Sequence, residues 1–91
     1  MTKDEKSLLL FFEACMTDHV CQVNIQHMND TDKGIAETWR KDDFIQYGRR
    51  KFSEITNGNT HWVILNNEAL DAALALRKER ALRSAERLVA R

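Results

Sequence analysis

The chain reads as a small α+β domain, with about three helices, a short two- to three-stranded antiparallel sheet and a long C-terminal helix. Three observations predict that class. Apolar residues recur at helical spacing from Leu8 to Met16, the apolar run Trp62-Val63-Ile64-Leu65 follows an Asn57-Gly58 pair, and everything after Asn67 is free of Gly and Pro.

With 91 residues, 43% apolar, and no proline, the chain fits one domain around one modest core. The expected organisation is a compact α+β part over residues 1–65 and a basic C-terminal helix over 66–91, packing on that part and projecting from it. The two cysteines and the polar start Thr2-Lys3-Asp4-Glu5-Lys6 give no sign of an exported disulfide protein, so a cytoplasmic chain with free thiols is expected. The run Leu8 to Phe12 falls far short of the ~20 residues that span a bilayer, so no membrane segment is expected.

In order along the chain, Thr2 and Glu5 have the form of a capping box and predict a helix start. Leu8, Leu9, Phe12, Cys15, Met16 and His19 continue that helix as a core-facing stripe. From Val20 the period changes. Cys21, Val23 and Ile25 alternate with Gln22, Asn24 and Gln26, which predicts a strand with one wet face; a first helix continued to near Met28 is the other reading. Asn29 to Gly34 is dense in turn formers and reads as a loop, with Ile35 to Trp39 as a short returning strand.

The stretch from Arg40 to Asn57 reads as an amphipathic helix, because Phe44, Ile45, Phe52 and Ile55 gather on one face at helical spacing. Asp42 and Asp43 would sit in its first turn, Arg49, Arg50 and Lys51 nearer its end, and Asn57-Gly58 at its stop. Gly48 costs roughly 1 kcal/mol in a helix interior, so the stretch is either one helix or two short ones with Gly48 at a turn. A strand follows from Thr60 to Leu65, then a helix of about 24 residues from Asn66 or Asn67, ~36 Å long.

Net charge is zero, but unevenly spread. Residues 1–48 hold five bases against nine acids, a balance of −4; residues 49–91 hold nine bases against five acids, a balance of +4. Such asymmetry points to a nucleic-acid or acidic partner, unless the halves neutralise each other on folding.

Catalytic and metal chemistry find little footing. Cys15, His19, Cys21 and His27 are metal-ligand types close in sequence, but without a Cys-x-x-Cys pair their ordinary reading is buried thiols and surface imidazoles. His61 beside Trp62 reads as packing. There is no Gly-rich phosphate loop, nucleophile elbow or His-Glu-x-x-His helix, so no catalytic residue, metal site or cofactor is expected.

The segment Lys41-Asp42-Asp43-Phe44-Ile45-Gln46-Tyr47-Gly48-Arg49-Arg50-Lys51-Phe52 resembles the winged helix-turn-helix modules of small bacterial, phage and plasmid DNA-binding proteins, where a short helix ends at a Gly turn and a basic recognition helix follows. His61 to Ala69 resembles the wing strand and following helix of that class. The resemblance covers about half the chain. It implies a winged-helix-like fold and a DNA-binding regulatory or accessory protein in which Arg49, Arg50 and Lys51 open the recognition helix. Arg77, Lys78, Arg80, Arg83 and Arg87 of the last helix would support them by neutralising phosphates. The other class of function is a protein-interaction module, in which Leu74, Ala81, Leu82, Ala85, Leu88 and Val89 dock a protein partner or a second copy as a homodimer.

Overall fold

The structure, a computed structural model, describes residues 1–51 and 58–90. Helix α1 spans Lys3–Asp18 and starts on the capping box: the Glu5 amide donates to Thr2 Oγ1 at 3.1 Å and the Thr2 amide to Glu5 Oε1 at 3.0 Å. Its buried face carries Leu8, Leu9, Leu10, Phe12 and Cys15. The helix leaves through Val20 and Cys21, both left-handed at φ 52° and 64°. For a β-branched residue that conformation is strained, and Val20 stands almost fully in solvent.

Strand β1 is only Gln22–Val23, because Asn24 turns the chain: its side chain accepts from the Gln26 amide at 3.0 Å and caps a single 3₁₀ turn over Ile25–His27. Helix α2, Asp30–Lys41, then occupies the stretch where the turn formers predict a loop and a returning strand. The physical reason is a second reciprocal cap. The Asp32 amide donates to Asn29 Oδ1 at 2.8 Å and the Asn29 amide to Asp32 Oδ2 at 3.2 Å, after which Ile35, Ala36 and Trp39 face the core at helical spacing. The helix ends in a Schellman motif with Asp43 at φ 58°, the Phe44 amide donating to the Trp39 carbonyl and the Asp43 amide to the Arg40 carbonyl. Asp42 and Asp43 therefore close a helix rather than open one.

Over its described part, the amphipathic helix expected across Arg40–Asn57 is absent after Lys41. Ile45–Arg49 is strand β2, paired antiparallel with β3, His61–Leu65, in the register Ile45↔Leu65, Tyr47↔Val63 and Arg49↔His61. Phe52, Ile55 and Asn57, which completed that expected helix, lie outside the described residues. Gly48 faces Trp62 across the pair, and a Cβ there would stand 2.8 Å from the indole ring. The glycine thus makes room for a cross-strand neighbour; it does not turn a helix. β1 adds to the other side of β3, so the antiparallel sheet has the order β1-β3-β2.

One face of the sheet, with Val23, Ile45, Val63 and Leu65, packs on α1 and α2 to form the core. Phe12 is its centre: fully buried, its ring lies 5.9 Å from Tyr47 and 6.5 Å from Trp39, which meets Phe44 edge-on at 5.3 Å. Helix α3, Asn67–Val89, is tied at its start: Asn66 Oδ1 accepts from the Ala69 amide at 2.7 Å, and Asn66 Nδ2 donates to the Asp43 carbonyl at 2.9 Å. Ala69 and Ala73 are fully buried, whereas every described residue after Leu76 is exposed. The extents of 51 × 28 × 24 Å and a radius of gyration of 14.5 Å, against about 12 Å for a compact domain of this length, follow from that helix.

Candidate nucleic-acid interface

Helices α1 and α3 run antiparallel, and the point where they part defines the site. Arg77 Nε donates to Glu13 Oε2, and the same carboxylate group accepts from Thr17 Oγ1 at 3.1 Å. Glu13 is buried, so Arg77 neutralises a carboxylate that would otherwise lie unpaired in the interior. Toward the start of α1, Leu8 to Phe12 give way to Ser7, Lys6 and Lys3, and nothing apolar is left to draw the helices together.

Between them opens a cleft of about 560 Å³ whose floor is Leu10 and Leu76. Five cations line its walls, Lys3 and Lys6 from α1 and Arg80, Arg83 and Arg87 from α3; Glu79 is the one acid among the lining residues. Glu79 is half satisfied already, its Oε1 lying 3.5 Å from Arg83 Nη2. Ser7 and Ser84 add neutral hydroxyl donors. An open, cation-lined cleft with exposed side chains and small hydroxyls suits phosphate or carboxylate groups.

The expected basic residues therefore divide. Arg80, Arg83 and Arg87 come together in the cleft; Arg77 is held by Glu13; Lys78 lies off the cleft on the outward side of α3. Arg49, Arg50 and Lys51 are themselves not helical. Arg49 ends β2, Arg50 donates its amide to the Thr60 carbonyl at 2.8 Å and its guanidinium to the Asn59 carbonyl at 2.9 Å, and Lys51 is exposed beyond them. None of the three lines the cleft. Lys3 and Lys6 escape a reading by charge runs, since only the pairing of α1 with α3 joins them to the arginines.

At the end of the β2–β3 pair where Arg49 stands opposite His61, the His61 ring stacks on Tyr47 with ring centres 5.5 Å apart, and Thr60 Oγ1 lies 2.8 Å from its Nδ1. Desolvation first, then the charges of Arg49 and Lys33, hold the imidazole below its ordinary pKa, which favours the neutral ring. Burial pushes the Cys15 thiol up to about 11, so it stays protonated and unreactive. Among the described residues no three His, Cys, Asp or Glu side chains converge as a metal-holding group, and no helix is long and apolar enough to cross a membrane.

The residues expected at an interface, Leu74, Ala81, Leu82, Ala85, Leu88 and Val89, are all exposed. Comparison with known proteins finds no match: no family model, no curated protein and no solved structure aligns with the chain.

Proposed function

We propose that the protein is a non-enzymatic DNA-binding regulatory or accessory protein that grips backbone phosphates in the cleft between α1 and α3. The observation that carries this reading is the convergence of Lys3, Lys6, Arg80, Arg83 and Arg87 on one open cleft that a single acid shares. The order of elements supports a winged-helix-like arrangement, since α2 leads directly into the β2–β3 hairpin and the long helix follows. Helix α2 is a poor groove reader on charge alone: Asp30, Asp32 and Glu37 offset Lys33, Arg40 and Lys41, and Arg40 is bound to Glu37. Affinity is therefore assigned to phosphate contacts at the cleft, with the hairpin's Arg49 and Lys51 as a second, separate basic surface.

The test is binding to a random-sequence DNA duplex across a salt series. Five phosphate contacts give a slope of log affinity against log salt near −4.5, so raising salt about fourfold weakens binding several hundredfold. An Arg80/Arg83/Arg87 triple-alanine variant should bind far more weakly, with the slope reduced by about three. Absence of binding at low salt, or an unchanged slope in the variant, would refute the assignment. A protein partner for α3 is the second reading, supported by the exposed leucines on its other face.

A further inference from the structure

Successive residues of an α-helix are about 100° apart, which places Leu82, Ala85 and Val89 roughly opposite Arg80 and Arg87 around α3. One side of the distal helix is thus the cationic wall of the cleft, and the far side is an apolar stripe. Leu74, Ala81, Leu82, Ala85, Leu88 and Val89 make up the stripe, with Leu88 71% and Val89 84% exposed. A shallow apolar surface depression of about 390 Å³ over Leu82, Ala85 and Val89 lies on it. The stripe runs roughly 22 Å, from Leu74 to Val89, at 1.5 Å per residue.

We infer that this stripe is covered by the same stripe of a second copy, with the two α3 helices antiparallel about a twofold axis between Ala81 and Leu82. The charges beside the stripe are complementary to their own reverse. With that centre, Leu74 stands level with the second copy's Val89, so the two stripes overlap along their whole length. Lys78, the charge that interrupts the stripe, stands level with the second copy's Ala85, and its long stem crosses that small residue to reach the adjacent Glu86. Each dimer gains two such pairs. A parallel pairing would instead set Lys78 against Lys78.

The body of each copy packs on the cleft side of its own α3, so the two bodies lie on opposite outer sides and do not collide. Both clefts stay open. The dimer stands or falls independently of DNA binding. A contact of this length is at the small end of specific interfaces, so a dissociation constant on the order of micromolar is expected.

Sedimentation equilibrium on the full chain, without nucleic acid, tests it. The expected result is reversible dimerisation in the micromolar range. Leu82→Glu should abolish it while leaving the far-ultraviolet circular dichroism and the unfolding midpoint of the dilute monomer unchanged, because Leu82 is exposed there. Lys78→Glu should weaken it by about tenfold, and Lys78→Glu combined with Glu86→Lys should restore it. The Arg80/Arg83/Arg87 triple-alanine variant should still dimerise, which separates this inference from the phosphate cleft. A chain that stays monomeric to about 100-fold above micromolar, a dimer indifferent to Leu82→Glu, or a double charge swap that restores nothing would each overturn it; so would a monomer whose stripe instead binds anionic lipid vesicles.

Discussion

The two halves of α3 have nearly the same helix propensity and opposite fates. In the first half Ala69 and Ala73 are fully buried and Leu70, Ala72 and Leu76 pack beside them; in the second half every described side chain is exposed. What differs is the surface across the gap. The first half meets the part of α1 that carries Leu9, Phe12 and Glu13, and its alanines let the backbones approach closely. The second half meets Lys3, Lys6 and Ser7, which offer no buried apolar side chain, and the two lysines repel Arg80, Arg83 and Arg87. A helix stays docked only where both partners remove apolar surface from water, and where that stops a charged cleft opens. Packing and site are thus two outcomes of one helix pair, and the boundary is the Glu13–Arg77 pair.

The largest effect that separates the halves is steric. Ala73→Leu forces a larger side chain into a fully buried position and should cost about 1–3 kcal/mol, whereas Ala81→Leu adds it to an exposed one and should stay within about 0.5 kcal/mol. Urea unfolding of the two variants measures the difference. Similar losses for both would mean that the distal half is packed as firmly as the proximal half, and the distinction would fail.

The boundary gives the next effect. Arg77→Ala leaves the Glu13 carboxylate buried with only Thr17 as partner. Breaking a fully buried pair costs several kcal/mol, but the Arg77 side chain is 47% exposed and water screens it, so about 1 kcal/mol is expected. The salt slope for DNA should not change, because Arg77 lies outside the cleft. A slope that fell by about one would return Arg77 to the phosphate-binding set.

How far such a division could be read in advance depended on whether each signal was local. The ends of the chain were legible: Thr2 and Glu5 cap α1 within four residues, Asn66 caps α3, and Trp62 to Leu65 is too apolar and too short for anything but a strand. The middle was not. Asn29 and Asp32 perform the same reciprocal capping as Thr2 and Glu5, but with residues that also make loops, so the start of α2 looked like a turn. Phe44 and Ile45 shared a helical spacing with residues further on, while the force that made β2 a strand was pairing with β3, whose partner residues lie twelve to twenty positions away. Gly48 could be understood only through Trp62. The site followed the same rule. Charge runs in α3 found Arg80, Arg83 and Arg87, but the partners that complete the cleft, Lys3 and Lys6, and the one that removes Arg77, Glu13, are brought in by tertiary packing over more than sixty residues.

The smallest effect on stability is also the most telling about function. Arg83 meets Glu79 one turn away at 3.5 Å with both side chains more than half exposed, so Arg83→Ala should shift the unfolding free energy by only about 0.3–0.5 kcal/mol. If the distal half exists to hold phosphates, the same substitution lowers the DNA salt slope by about one, and frees Glu79 to repel the backbone, so affinity falls by more than one lost contact would explain. Glu79→Gln in the Arg83→Ala background should recover part of that excess without changing the slope again. A loss of stability above about 1 kcal/mol with DNA binding intact would place Arg83 among the structural residues instead and move the boundary between packing and site further along α3.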